Sequence, residues 1–143
     1  MAGQITVREA TVADGPALAE IERQTPLRLG AAELVIDRGS DYFAAARLME
    51  DATVLIAEKD GLAVGVFCAA IHLAPVGGIE RRLLYVHHGR ILPSVQNEGL
   101  GRRFSNFLGV KFAGQYDSDY FYIAPENLQS QAFARRAQNR WSV

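Results

Sequence analysis

One stretch constrains the fold of this chain more than any other part: ILPSVQNEGLGRRF, residues 91–104. An apolar run ends at Pro93 and a polar turn with two glycines follows. Phe104, Phe107 and Phe112 then recur close to one face of a helix. The stretch therefore predicts a strand, a glycine-rich turn and a helix. The first N–H groups of such a helix are unpaired, and with the positive end of the helix dipole they form a seat for an anion such as phosphate.

Two common phosphate-binding turns do not fit this stretch. A Rossmann dinucleotide fingerprint needs a third glycine at position 104, where this chain has Phe104. A P-loop needs Gly-Lys-Ser/Thr, whereas Arg102 and Arg103 follow Gly101 here. The alternative without any ligand is an ordinary turn between a strand and a helix.

The spacing Gln96-x-x-Gly99-x-Gly101, placed after a strand, resembles the acyl-CoA pyrophosphate loop of the GCN5-related N-acetyltransferases, the GNAT superfamily. Residues 5–14, ITVREATVAD, are similar to the first strand and helix of many GNAT proteins. The resemblance runs over about residues 5–140. It implies one domain over residues 1–143 with the GNAT acyl-CoA N-acyltransferase fold.

The order of the predicted elements agrees with the β-α-α-β-β-β-α-β-α order of the GNAT core. Alternating or β-branched runs predict strands at residues 5–10, 53–58, 62–71, 83–92 and 120–124. Capping residues and helical spacing predict helices that begin near 14, 40, 101 and 128. We therefore expect an α+β chain of three-layer type, in which helices flank a mixed, mostly antiparallel sheet.

The end of the chain departs from the family pattern. A typical GNAT protein adds two strands after the last helix, and this sequence stops at Trp141-Ser142-Val143. The C-terminal strands are thus expected to be short or missing. Because an open sheet edge invites pairing, we expect a homodimer or a strand exchange there.

Composition and charge exclude several classes of protein. A chain of 143 residues with 49% hydrophobic and 22% charged residues suits one ordinary domain. The net charge of −1 gives no general attraction for nucleic acid or an anionic membrane. No apolar run approaches the roughly 20 residues of a membrane span, and no signal peptide is visible, so we expect a cytoplasmic protein. The single cysteine, Cys68, excludes an internal disulfide and a multi-cysteine zinc site, and we expect no metal.

The resemblance implies acetyl-CoA as the cofactor. The backbone amides from Gln96 to Arg103 would hold its diphosphate, and Ile91 and Leu92 would line the pantetheine arm. Asn127 matches an asparagine that bonds the pantetheine in the family; the alternative is that it caps the last helix. The expected coenzyme A contacts are Ile91, Leu92, Gln96, Asn97, Glu98, Gly99, Leu100, Gly101, Arg102, Arg103 and Asn127.

The acceptor amine must lose a proton before it attacks the thioester carbonyl, so a base of suitable pKa is needed. His87 and His88 lie on the strand that leads into the glycine turn, and histidine titrates in the right range. Successive strand residues point to opposite faces, so we expect at most one of them in the groove. We prefer His88 because it shares parity with Arg90; a β-bulge would reverse that preference. The alternative is a histidine that only bonds within the core.

The acid that protonates the departing thiolate is less clear. The tyrosine that many GNAT proteins use lies about seven residues after the asparagine, where this chain has Ala134. The neighbouring Phe133 cannot donate a proton. The resemblance also implies a gap between the strand 83–92 and the strand 120–124. Tyr122, on the second of these strands, is a candidate substitute.

The sequence thus favours an N-acyltransferase that moves an acetyl group from acetyl-CoA to a primary amine of a small molecule or a protein. The main alternative is a GNAT-fold domain that binds coenzyme A as a sensor or regulator without transferase activity; Ala134 favours it. A third alternative is a small interaction domain whose glycine turn binds nothing. The acceptor itself cannot be inferred from the sequence.

Overall fold

The structure is a computed structural model that describes residues 3–123 and 127–138. Ten helices and strands make up the described part, together with three short 3-10 turns. In chain order they are β1 (Ile5–Glu9), α1 (Gly15–Gln24), β2 (Leu27–Leu29), β3 (Ala32–Leu34), β4 (Thr53–Lys59), β5 (Leu62–Val76), β6 (Ile79–Ile91), α2 (Leu100–Lys111), β7 (Ser118–Tyr120) and α3 (Leu128–Gln138).

Five of the strands form one mixed sheet in the order β1-β4-β5-β6-β7. The first three pairs are antiparallel, and β6 with β7 is parallel. β2 and β3 form a separate small hairpin. The expected mixed, mostly antiparallel sheet flanked by helices is therefore confirmed.

Two apolar clusters cover the two faces of this sheet. On the face that we call the α2 face, the buried residues are Leu55, Ala57, Val64, Ala69, Leu84, Val95, Leu100, Phe104, Leu108 and Phe112. On the opposite face, the α1 face, they are Leu18, Ile21, Tyr42, Val54, Ile56, Val66 and Cys68. Phe104 is completely buried, and burying a side chain of its kind contributes about 1.5–3 kcal/mol. The helical spacing seen after the glycine turn is thus the packing face of α2.

Thr11 and Asp14 begin the first helical region, as the sequence predicts. The Asp14 carboxylate accepts the backbone N–H of Thr11 at 2.7 Å and two hydrogen bonds from Arg8 at 2.8 and 2.9 Å. The Arg8 guanidinium is the main reason why the pKa of Asp14 lies well below its ordinary value. Pro16 then occupies the first turn of α1, where its missing N–H costs nothing.

A β-bulge interrupts the pairing of β5 with β6. Val66 lies opposite Arg90 and Cys68 lies opposite His87, so Phe67 faces two residues of β6. His88, the first of those two, has φ 59°, a conformation that non-glycine residues seldom adopt. Gly89, the second, is a glycine because a Cβ there would come within 3.0 Å of the Phe67 ring. The bulge therefore changes which face of the sheet each residue of this segment occupies.

Two predicted elements differ from the structure. The helix expected from residue 40 to 49 is reduced to a 3-10 turn at Ala46–Leu48. The Asp41 side chain accepts the Phe43 N–H at 3.1 Å and also pairs with Arg47, and such local bonds compete with helix formation. Tyr42 is drawn into the α1-face cluster, where it is buried.

The last strand also lies earlier than expected, at Ser118–Tyr120 instead of residues 120–124. Asp117 fixes its start, because its N–H donates to the Arg82 carbonyl and its carboxylate accepts the Arg82 N–H, both at 2.8 Å. Residues 121–123 follow without regular structure. Residues 124 and 141–143, which carry the expectations about the strand end and the C-terminal strands, lie outside the described residues. In the described part no helix is both long and apolar enough to cross a membrane.

Candidate functional site

The glycine turn and the start of α2 form an open helix end where the sequence predicts an anion seat. Gly99 has φ 79° and is the residue before the first turn of α2. The Arg103 N–H donates to the Gly99 carbonyl at 3.1 Å, which is the first bond of the helical pattern. The N–H groups of Leu100, Gly101 and Arg102 precede that bond, so they point out of the helix end. A Cβ on Gly99 would have no atom within 4 Å, so this side of the turn is open.

The charged side chains of the turn are directed away from this seat. Glu98 pairs with Lys59 through both carboxylate oxygens at 2.9 Å. Arg103 donates to the Ile5 carbonyl at 3.3 Å, on the neighbouring β1. Arg102 is exposed. The predicted phosphate contacts Gln96, Asn97, Glu98, Gly99, Leu100, Gly101, Arg102 and Arg103 come together in one turn. The N–H groups of Gln96, Glu98 and Arg103 already donate to backbone carbonyls, so the prediction that these three bind a ligand was wrong. The N–H groups at the start of α2, from Leu100 to Arg102, remain.

The pairing of β6 with β7 ends several residues before this turn. Their pairing covers only Leu83 to Tyr85 on β6, opposite Ser118–Tyr120, whereas β6 continues to Ile91. In the described residues no strand pairs with this outer edge of β6 from residue 86 onward. We call this open stretch of the β6 edge, residues 86–91, the fissure. Leu92, at its end, donates its N–H to the Val64 carbonyl at 2.9 Å.

α3 begins close to the same turn. The Asn127 side chain accepts the Ser130 N–H at 3.0 Å, so Asn127 is the helix cap that the sequence offered as an alternative role. The Phe133 ring lies where a Cβ on Gly101 would approach it to 3.2 Å. Gly101 is therefore a glycine because the Phe133 ring packs on it. Ala134, at the position of the family's tyrosine, is half-buried.

The bulge places both histidines of β6 on the α1 face. His87 lies opposite Cys68, whose side chain belongs to the α1-face cluster. His88 contacts Glu22 of α1 and Tyr42, which lie on the same face. The expectation that at most one histidine faces this side was wrong, because strand alternation does not hold across a bulge.

His88 belongs to a buried polar cluster around Glu22. The Glu22 carboxylate is 3% exposed and accepts hydrogen bonds from the Tyr42 hydroxyl and from Arg38 Nε, both at 3.0 Å. His88 Nε2 also contacts the Glu22 carboxylate, and Arg38 Nη2 contacts the His88 ring. Burial, followed by the charges of Arg38 and Arg90, lowers the pKa of His88 to about 3. His88 is therefore neutral at pH 7, and both of its ring nitrogens are engaged.

His87 differs from His88 in that one ring nitrogen is uncommitted. Its Nε2 atom is buried and has no hydrogen-bond partner among the residues the structure describes. Burial lowers the pKa of His87 as well, so this ring too is neutral at pH 7. Its ring stacks on Tyr85 with a centroid distance of 4.8 Å.

Tyr85 is the centre of an aromatic row on the α1 face. Its other neighbour, Tyr120, stacks on it at 4.8 Å, and the Tyr120 hydroxyl shares a 2.7 Å hydrogen bond with His72 Nε2. Tyr122 contacts both tyrosine rings edge-on and is 82% exposed. The row fixes the His87 ring beside the fissure and brings Tyr122 to the same place.

Three residues of this face were missed by sequence reasoning: Glu22, Arg38 and Arg90. A signal existed for Glu22, since it is the fourth residue after the inward-facing Leu18 and so shares the buried stripe of α1. Arg38 follows a hairpin that the sequence did not predict. Arg90 faces this side because of the bulge.

Neither a protein-family model nor a curated protein matches this chain. Solved structures do match it. The aminoglycoside N-acetyltransferase AAC(6')-Iy, in complex with CoA, is 18% identical with a TM-score of 0.71 over 95% of this chain and 88% of that one. Glucosamine-6-phosphate N-acetyltransferase from Arabidopsis thaliana is 13% identical, with a TM-score of 0.70 over 98% and 92% of the two chains. A transcriptional regulator from Bacillus halodurans is 12% identical, with a TM-score of 0.71 over 94% and 91%.

The mixed sheet, with a glycine turn at the start of a helix next to the fissure, defines an α+β fold. The likeness to the solved acetyltransferases identifies it as the GNAT fold. The resemblance inferred from the sequence is thereby confirmed at the level of the fold.

Proposed function

We propose that this protein is a GNAT-type N-acetyltransferase that uses acetyl-CoA and a primary amine of a small molecule or a protein. One observation carries the proposal: the strand β6, whose outer edge has no partner over residues 86–91 in the described part of the chain, leads into the open helix end at Gly99. A diphosphate at that helix end would leave the pantetheine arm to run along the free edge of β6, past Ile91. The neighbour AAC(6')-Iy, which was solved with CoA, supports the choice of cofactor.

His87 is the base that this geometry supports best. As the amine nitrogen attacks the thioester carbonyl, it forms the new C–N bond, the C–S bond breaks, and the amine proton must leave. His87 is neutral, and its Nε2 can accept that proton directly or through a water. His88 would first have to give up its contacts with Glu22 and Arg38, so we assign it to holding the bulge in place. The Tyr122 hydroxyl would give its proton to the departing thiolate.

The first experiment separates the three functional classes. Isothermal titration of acetyl-CoA tests cofactor binding, and thiol release with a panel of small amines and peptide amines then tests transfer. We expect micromolar binding and amine-dependent thiol release. No heat on titration would leave a domain that binds nothing at the glycine turn, and would refute the proposal.

The catalytic assignment is tested with His87→Gln. Removal of a general base lowers the rate about 10²- to 10⁴-fold. We expect kcat to fall by at least about 10²-fold. The dissociation constant of acetyl-CoA should stay within twofold of the wild-type value. Glu20→Gln is the control, because Glu20 is exposed on α1 and, within the described residues, contacts only Arg23 and Gln24. Full activity of the His87 variant would remove it from this role.

A second candidate function is a GNAT-fold domain that binds coenzyme A as a regulator or sensor. Ala134 favours it, since this side chain has no proton to donate. The structural neighbour described as a transcriptional regulator gives this candidate a precedent in the fold. Acetyl-CoA binding without thiol release for any amine of the panel would establish it.

We also propose a homodimer that pairs through the C-terminal end of the sheet. In the described part of the sheet, the three-residue β7 is the edge strand on that side. An edge strand of this kind offers unpaired backbone groups to a second copy. Light scattering after size-exclusion chromatography would decide between one chain and two.

A further inference from the structure

Arg90 is a half-buried positive charge that the described part of the chain does not neutralise. It follows the bulge, and it lies opposite Val66, whose side chain belongs to the α1-face cluster. Its Nη1 donates one hydrogen bond, at 2.9 Å, to the carbonyl of Gly89. Its guanidinium keeps its charge at neutral pH, although burial lowers its pKa.

Among the arginines whose side chains the structure describes, the others are either exposed or paired with carboxylates. Arg8 and Arg38 are the two that are half-buried like Arg90. Arg8 is held by two carboxylates and Arg38 by Glu22. Within the described residues no carboxylate oxygen lies within 4.0 Å of the Arg90 guanidinium. Because an unpaired buried charge is costly, this arrangement indicates a counter-ion that the chain itself does not supply.

Glu22 acts on the charge of Arg90 only from a distance, and its direct ion pair is with Arg38. Its Oε1 atom already contacts Tyr42, Arg38 and His88. The charges around the bulge are one carboxylate, Glu22, and two guanidinium groups, since both histidines are neutral at pH 7. This leaves a surplus of one positive charge around the bulge.

The surplus charge lies next to the proposed reaction centre. Arg90 belongs to the part of β6 that has no β7 partner among the described residues, and it is separated from His87 only by the bulge. An anion bound by Arg90 would therefore lie on the same face as the proposed base. The guanidinium offers a planar pair of donors, which suits the oxygen atoms of a carboxylate or a phosphate.

We propose that the amine acceptor carries an anionic group, a carboxylate or a phosphate, and that Arg90 binds this group. This inference rests on the proposed acetyl transfer and specifies its substrate class. An acceptor whose only charges are positive would meet the unneutralised Arg90 and be disfavoured.

Binding is measured first, so that the result does not depend on turnover. The probes are two matched pairs added to the protein saturated with coenzyme A: glucosamine 6-phosphate with glucosamine, and glycine with glycinamide. The readout is the Nε–H signal of Arg90 in ¹H–¹⁵N spectra, assigned by its loss in Arg90→Gln. We expect a saturable shift with the anionic member of at least one pair and none with its neutral partner. The pair that responds identifies phosphate or carboxylate.

Turnover is measured next, with kcat/KM for both members of each pair. Charge-assisted hydrogen bonds correspond to about a tenfold effect or more. We therefore expect Arg90→Gln to lower kcat/KM for the anionic acceptor by about tenfold or more, and to leave the neutral acceptor within twofold. Arg81→Gln is the control, because Arg81 is an exposed arginine of the same strand.

Three results would overturn the inference. The first is an Arg90 signal that shifts equally with the anionic and neutral members of both pairs, or with neither. The second is a signal that coenzyme A alone shifts to saturation, because the cofactor would then be the counter-ion. The third is an equal loss for both acceptors in Arg90→Gln. Acetyl-CoA binding, measured separately, shows whether the proposed function itself has failed.

Discussion

The two faces of β6 build the candidate site in different ways. On the α2 face, the glycine turn offers backbone N–H groups, and its charged side chains are paired elsewhere, Glu98 with Lys59 and Arg103 with β1. On the α1 face, the chemistry lies in side chains that several distant segments bring around the bulge. A backbone site tolerates sequence change outside its glycines. A side-chain site depends on each member, and this difference can be tested.

The largest effect is expected from Glu22→Gln on the α1 face. The substitution keeps the shape of the side chain but leaves the Arg38 guanidinium in the cluster without its carboxylate. Loss of one partner of a buried ion pair costs about 3–5 kcal/mol in unfolding free energy. Urea denaturation at pH 7.5 measures it. Glu20→Gln, on the same helix, removes only exposed contacts with Arg23 and Gln24 and is expected to cost far less. Equal losses in the two variants would contradict a special role of Glu22.

The pH dependence of stability tests the same cluster. Since the pKa of His88 is about 3 in the folded chain and near 6.5 in the unfolded chain, the unfolded chain binds more protons between these values. This contribution is therefore complete above about pH 6.5 and is lost progressively as the pH falls towards 3. When the pH falls from 7.5 to 5.5, we expect His88 to lower the free energy of unfolding by about 1.4 kcal/mol. Over this pH range the free energy of unfolding should therefore fall further in the wild type than in His88→Gln, by this amount. A gain in stability on acidification would instead indicate a protonated His88 paired with Glu22.

The same division explains what could be predicted from the sequence. The anion seat is formed by residues close together in the chain, because Gln96, Gly99 and Gly101 lie within one turn and helix start. Such spacing can be recognised in the amino-acid sequence. The fold could be inferred in the same way, from the order of strands and helices around that turn. What the spacing did not reveal is that Phe133 packs on Gly101.

The α1 face could not be predicted because its contacts join residues far apart in the chain. Glu22 and His88 are separated by 66 positions, and Arg38 and His88 by 50. We preferred one histidine because strand residues alternate between the two faces of a sheet. This alternation fails at His88, whose φ is 59°. Histidine gives no strong signal for this conformation, so a bulge was only an alternative. The choice between His87 and His88 therefore required the coordinates.

Gly99→Ala tests the backbone site. At φ 79° a Cβ is strained by about 1–2 kcal/mol, although it would meet no atom within 4 Å. We expect about 1 kcal/mol of destabilisation, and acetyl-CoA binding at least tenfold weaker, since relief of the strain moves the N–H groups of the turn. Gly109→Ala, in the exposed interior of α2, is the control. Gly109→Ala should raise the free energy of unfolding by about 0.5–1 kcal/mol and leave acetyl-CoA binding unchanged. Unchanged acetyl-CoA affinity in Gly99→Ala would refute the anion seat.

The smallest effect concerns the charges beside the turn. Lys59 neutralises the Glu98 carboxylate, which would otherwise lie next to a bound diphosphate. Lys59→Gln should therefore weaken acetyl-CoA binding, whereas Glu98→Gln should strengthen it by releasing Lys59. Both side chains are partly exposed, so water screens them, and each change is expected to be about two- to threefold, or about 0.5 kcal/mol. Both effects should shrink as salt is raised from 0.05 to about 1 M, where the screening length is near 3 Å.

The opposite signs make this small effect decisive. Lys111→Gln is the control, because Lys111 pairs with Glu9 at the far end of the same helix. It should leave acetyl-CoA affinity within the error of titration calorimetry. If Lys59→Gln and Glu98→Gln changed affinity in the same direction, the effect would be structural. Opposite shifts that vanish in high salt would mean that the negative charge of the cofactor lies at the start of α2, near its backbone N–H groups and the exposed Arg102.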